Sequence, residues 1–296
     1  MMTTPKRGRL YYLINTAAII AGVFFLYSKY FAGMLTVIED RTRSILLFLF
    51  ISLLIAVIYC MKAFRLYIIF MDNRVVLKRF FRVYIKTMPV SLAFPLKLGE
   101  IFRMYCFSCE TGSAATGILG ILVERFFDTI PLLALIIIFT LLSGEKIITL
   151  VILLAGFLIL ITALYLSFPS IYAYANRYCM VSIRSERSIR LLRILESADK
   201  WYGRVKSLIK DRVAILLIIS SFTWLAECGI LMLFVKGMGD EFRPDIFLTY
   251  ISSVFSGSTN GYVDLYVGLS AVLFFAVFII VYALSFIRKI FAGKRM

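Results

Sequence analysis

The chain has 296 residues, of which 61% are hydrophobic and 17% charged, and its mean hydropathy is +0.93. A soluble domain is about 45–50% apolar and about 25% charged, so these figures exclude one and call for division into membrane spans of about 20 residues. The net charge of +16 sits beside apolar runs, which suits an anionic cytoplasmic leaflet and argues against nucleic acid, and the absence of histidine removes the usual imidazole acid–base and metal chemistry.

Six apolar runs read as crossings: Leu10–Met34, Ile45–Met61, Phe126–Leu142, Ile147–Phe168, Val213–Val235 and Val263–Phe286. The first follows a basic start (Lys6, Arg7, Arg9) like a signal peptide, but it shows no clear small-residue cleavage site and reads as a retained helix. Two shorter runs do not fit as spans. Val83–Leu96 is interrupted by Lys86, Pro89 and Pro95, and Ile246–Phe255 ends at the Ser- and Gly-rich stretch 256–261. Runs of 10–14 residues read as re-entrant or interfacial. Pro89 and Pro95 are expected to stop a helix.

Lys and Arg concentrate after the second run (Lys62, Arg65, Arg74, Lys78, Arg79, Arg82, Lys86), between Ser170 and Arg212, and at Arg288, Lys289, Lys294 and Arg295. The stretch Lys236–Asp245 is acidic on balance. The positive-inside rule then places both termini in the cytoplasm. The expected fold is an all-α polytopic membrane protein with about six transmembrane helices and two re-entrant segments, forming one integral membrane domain over 1–296. Halves 1–143 and 147–290 follow the same order from opposite sides, the pattern of an inverted-topology repeat; six helices with two kinks is the plain alternative. Within the basic stretch, Ile189, Leu192, Leu195, Ala198 and Trp201 recur at three-residue steps, so 185–210 reads as a basic amphipathic cytoplasmic helix against anionic headgroups.

Cys60, Cys106, Cys109, Cys179 and Cys228 read as small apolar residues. Cys106 and Cys109 form a C-x-x-C without the second pair that zinc needs, and no cofactor is expected.

The charged string Pro95-x-Lys97-x-Gly99-Glu100-x-x-Arg103, followed by Glu124-Arg125-x-x-Asp128, is the candidate site. Charge beside hydrocarbon is unfavourable by about 2.5–3.5 kcal/mol per residue, so these groups must pair or line a wet cavity. Glu100 and Arg103 lie three apart on one helix face; Glu124 and Asp128 lie four apart on another, with Arg125 able to pair with Glu100. Lys97, Arg103 and the helix start after Gly99 suit a phosphate, and the acids suit the rest of a zwitterionic, cationic or sugar-bearing headgroup. A salt-bridge cluster that only fixes helix packing is the competing reading. Glu227, on one face with Trp224, and Asp264 are candidates for the same cavity.

These residues resemble the transmembrane region of lysylphosphatidylglycerol synthases, also called flippase-like integral membrane proteins. Lys62-Ala-Phe-Arg65 resembles the family's basic turn after the second helix, and Trp224-Leu-Ala-Glu227 its Trp-x-x-Glu helix. Near the C-terminus the family's Pro-Gly-Gly-x-Gly-x-x-Glu turn is replaced by residues 256–264, where Asp264 stands for the acid. The resemblance implies a site of Arg65, Pro95, Lys97, Gly99, Glu100, Arg103, Glu124, Arg125, Asp128, Glu227 and Asp264. It implies a flippase or translocase, not an enzyme, that moves a phosphate-bearing lipid such as an aminoacylated phosphatidylglycerol across the inner membrane of a prokaryote. No cytosolic aminoacyl-transferase domain accompanies the spans, so lipid synthesis is not expected. The alternatives are a translocase for polyprenyl-phosphate-linked sugar in envelope glycosylation and a membrane-embedded lipid-modifying enzyme. The implied partners are membrane lipids, the anionic inner leaflet and a glycosyltransferase or lipid synthase.

Overall fold

The computed structural model describes residues 45–73, 75–93, 98–144, 148–182, 186–256 and 261–293, together with Ala17, Ile20, Ala21 and Phe24. The first expected span otherwise lies outside the described residues, as do Pro95, Lys97 and the side chain of Asp264. No strand occurs among the described residues. The elements are α1 (Ile45–Phe70), a 3-10 turn (Met71–Asn73), α2 (Leu77–Ala93), α3 (Leu98–Thr111), α4 (Ala114–Ser143), α5 (Ile148–Ser182), α6 (Glu186–Ile209), α7 (Val213–Gly237), α8 (Pro244–Ser256) and α9 (Gly261–Gly293).

Helices α1, α4, α5 and α7 are long and apolar enough to cross a bilayer. They match four of the expected runs, and the Val263–Phe286 run lies within the 33 residues of α9. In α1 the outward face carries exposed Leu46, Leu49, Leu53 and Val57, while Ile51, Ile55 and Ile58 are buried. That stripe is the mark of a helix with lipid on one side and protein on the other. The chain is an all-α polytopic membrane protein.

Two helices extend past their apolar runs in ways that matter for the site. The apolar run that starts at Phe126 belongs to a helix that begins at Ala114, capped by Ser113, whose side chain accepts from the Thr116 amide. The acids of the charged string therefore lie inside α4 and not ahead of it. Similarly, α1 continues through Lys62 and Arg65 to Phe70. The expectation that Pro89 stops a helix is corrected: α2 runs through it to Ala93. At this position near the C-terminal end a proline removes only one intrahelical donor, and the helix survives.

Helix α2 (17 residues) and α3 (14 residues) are each shorter than a 20-residue span and pack side by side. Helix α3 packs in turn on α4, and α4 packs with α1 and α7. The 13-residue α8 lies on α4, and α9 runs along α2, so the two short-helix regions meet through α9. Close backbone approach makes the α2–α3–α4 contacts possible. A Cβ on Gly99 would lie 2.3 Å from the Ser91 Cα, and one on Gly117 would lie 2.3 Å from the Ser108 amide nitrogen. Small residues are the usual means of such approach in membrane helices. Gly99→Ala is expected to lose about 1–3 kcal/mol by overpacking, read as a lower melting temperature in detergent; an unchanged melting temperature would show that α2 and α3 are not held this tightly.

Two apolar clusters hold the bundle. One surrounds Phe70, Phe80 and Phe107, with the Phe70 and Phe107 rings stacked at 5.1 Å. The other surrounds Ile51, Ile55, Leu132, Phe234, Phe247 and Tyr266. Helices α1, α4 and α7 contribute to both. Along the chain, Arg65 and the acids of α4 lie among residues of the first cluster, and Glu227 of α7 among residues of the second.

The expected amphipathic helix is α6. Tyr202 packs on Phe168 of α5 at 4.8 Å, and Arg204 donates to Thr116 Oγ1 at 2.7 Å and to Ser113. Helix α6 is thus attached to the start of α4, the helix that carries three site residues.

Candidate functional site

Six buried or half-buried side chains close a ring of alternating charge. Starting at Glu100, its Oε2 lies 3.4 Å from Arg103 Nη1, and Arg103 Nη2 lies 2.9 Å from Glu124 Oε2. Glu124 Oε1 lies 3.3 Å from Arg65 Nη2, and Arg65 Nη1 lies 2.6 Å from Asp128 Oδ1. Asp128 Oδ2 lies 3.4 Å from Arg125 Nη1, and Arg125 Nη2 returns to Glu100 Oε1 at 2.5 Å. Three guanidiniums and three carboxylates balance, as buried charges must.

The local helix geometry builds most of this ring. Glu100 and Arg103 share a face of α3, and Glu124 and Asp128 share a face of α4, so a single arginine from α1 reaches both acids of α4. Neutral groups add hydrogen bonds to two of the acids. Ser91 Oγ donates to Glu100 at 2.7 Å, and the Trp224 indole N–H donates to Asp128 Oδ1 at 3.0 Å. Arg65 Nη1 also donates to Ser220 at 2.9 Å, joining α1 to α7. The guanidinium carbon of Arg103 lies 5.5 Å from the centre of the Tyr84 ring.

The ring has a buried side and one partly exposed edge. The side chains of Arg65, Arg103 and Glu124 are at most 1% exposed, whereas that of Arg125 is 27% exposed. Among the described residues, the Nε atoms of Arg65, Arg103 and Arg125 are buried without a hydrogen-bond partner. Each guanidinium therefore keeps one donor in reserve.

Of the residues expected at the site, Arg65, Glu100, Arg103, Glu124, Arg125 and Asp128 meet in the ring, and the anticipated Arg125–Glu100 pair is present. Gly99 lies beside it, at the α2–α3 contact. Pro95, Lys97 and the Asp264 side chain lie outside the described residues. One expectation changes in form. Arg103 does not face an open anion pocket at the α3 start; both its terminal nitrogens meet carboxylates. A guanidinium at 0% exposure has no water to replace a partner.

Glu227 stands beside the ring and not in it. Its Oε2 lies 2.5 Å from Lys62 Nζ, and the Tyr250 hydroxyl donates to its Oε1. Lys62 Nζ sits over the rings of Tyr59 and Trp224, at 4.9 and 5.4 Å. Trp224 thus belongs to both groups, with its N–H on Asp128 and its face on Lys62. Sequence reasoning missed Lys62, Ser91, Ser220 and Tyr250 as members. The spacing of Lys62 from Arg65, one helical turn, was a signal for the first; nothing local marks the other three.

The chain matches the family model described as lysylphosphatidylglycerol synthase TM region over residues 12–259, and it belongs to that family. No curated protein and no solved structure matches it. The family and the long apolar helices identify a multi-pass membrane protein with a lipid-related role.

Proposed function

We propose that this protein is a translocase that moves a phosphate-bearing lipid, such as an aminoacylated phosphatidylglycerol, between the leaflets of a prokaryotic inner membrane. The observation that carries the reading is the balanced charge ring, closed on one side and with Arg125 as its exposed edge. A phosphate reaching Arg125 replaces the Glu100 and Asp128 oxygens bond for bond, and the unpartnered N–H groups add donors. Because the ring is neutral, it offers a polar path without a net charge that would trap the headgroup. Family membership supports a lipid cargo.

The test is a leaflet-asymmetry assay in proteoliposomes with labelled phosphatidylglycerol, its lysyl ester, polyprenyl phosphate with and without a sugar, and diacylglycerol. Phosphate-bearing lipids should cross faster than in protein-free vesicles and diacylglycerol should not. Equal rates with and without protein sink the reading. The best-moved lipid separates the phospholipid from the polyprenyl-linked sugar.

The orientation belongs to the same reading: both termini cytoplasmic, α6 on the anionic inner leaflet, and the stretch Lys236–Asp245 outside. Asp240 is exposed. Asp240→Cys in a cysteine-free background should react with an impermeant maleimide in intact cells; labelling only after permeabilisation would reverse the topology.

A further inference from the structure

The ring and the neighbouring Lys62–Glu227 pair differ in kind. Arginine keeps its proton under all physiological conditions, so the ring carries fixed charge on its cationic side. In the Lys62–Glu227 pair, the carboxylate depends on one mobile ammonium at the end of a flexible four-carbon stem. Glu227 is 4% exposed, and its surroundings are aromatic. The groups that face it are Lys62 and Tyr59 from α1, Tyr250 from α8 and Tyr266 from α9; Cys228 adjoins it on α7. Lys62 also lies over the ring of Trp224, whose N–H donates to Asp128 of α4.

Asp128 therefore stands between the two cations, paired with Arg125 and joined to the Lys62 side through Trp224. An anion that docks at the exposed edge of Arg125 draws on both cations. If the Lys62 ammonium moves to that anion, Glu227 is left among tyrosines with hydrogen-bond donors but no counter-ion. A carboxylate buried in that state is neutralised by a proton.

We propose that Glu227 is a proton-binding site coupled to lipid entry, an inference that rests on the lipid reading of the ring. Lipid phosphate takes the Lys62 ammonium, and one proton from water forms an O–H bond on Glu227. Lys62 keeps its own proton throughout. When the lipid leaves, Lys62 returns and Glu227 releases the proton. One lipid phosphate thus travels with one proton, which offsets the charge of that phosphate in the loaded site. In a sealed membrane a pH gradient then drives the lipid.

The test counts protons per lipid bound. Purified full-length protein in weakly buffered detergent, with a pH-sensitive dye, is titrated with short-chain phosphatidylglycerol, a phosphodiester that does not itself titrate near neutrality. Native mass spectrometry gives the bound lipid in the same samples. Wild type should take up about one proton per lipid, and its affinity should rise about tenfold per unit fall in pH while Glu227 is the titrating group. Glu227→Gln removes the acceptor, and Lys62→Gln removes the ammonium whose movement links the two sites, so in both the number per bound lipid should fall to near zero. Wild type that binds lipid with no proton uptake overturns the coupling and leaves the lipid reading standing. Uptake of one proton per lipid in Glu227→Gln also overturns it, because the proton then goes elsewhere. Wild type that binds no lipid removes the lipid reading and the coupling with it.

Discussion

Arg65→Ala is expected to lower the free energy of unfolding by about 3–5 kcal/mol, the range for removing one partner of a buried ion pair. Arg65 is 1% exposed and joins three helices, through Glu124 and Asp128 on α4 and Ser220 on α7. Its loss leaves one excess negative charge on the buried side of the ring, where Glu124 is also 1% exposed. Chemical unfolding in detergent, followed by tryptophan fluorescence, measures the effect, since Trp224 donates to Asp128. Arg65→Met combined with Asp128→Asn restores the charge balance and should lose less than the two single changes added together. A single variant within about 1 kcal/mol of wild type would mean that water reaches the acids and that the ring is a wet cavity throughout.

Arg125→Ala should behave in the opposite way: lipid movement falls by about 100-fold while stability stays within about 1 kcal/mol of wild type. Arg125 is the half-buried member, so water can take its place beside the acids. Glu100 retains Arg103 and Ser91, and Asp128 retains Arg65 and Trp224. No carboxylate is left alone, yet the group that first meets a phosphate is gone. Arg125→Lys keeps the charge and loses the planar fork, and should fall between the two. The assay is the leaflet-asymmetry measurement, with melting temperature recorded on the same preparations. Wild-type transport in Arg125→Ala would remove the exposed edge as the entry point. Together the two variants separate what holds the helices from what meets the lipid.

Much of this site was legible locally because helical periodicity is local. Residues three or four apart share a face whatever the rest of the protein does, so Glu100 with Arg103 and Glu124 with Asp128 were readable as pairs. The rule that charge at membrane depth needs a partner made the string a site and suggested the Arg125–Glu100 contact. The helix bounds were less legible. Hydropathy marks where a helix is apolar and not where it starts, so the extension of α4 back to Ala114 and the passage of α2 through Pro89 were not visible.

What the sequence determined by itself is the class of the protein and the faces of its helices. Runs of apolar residues that long can satisfy their backbone in lipid only as helices. What only the tertiary structure decided is which faces meet. Arg65 reaches acids 59 and 63 residues away, and Lys62 reaches Glu227 165 residues away, across contacts with no local signature. Their meeting depends on how closely α2, α3 and α4 approach, which the Gly99 and Gly117 contacts permit. The same packing turned Arg103 from an open phosphate ligand into a closed member of the ring. Once the helices exclude water, the nearest carboxylates are the partners left to it.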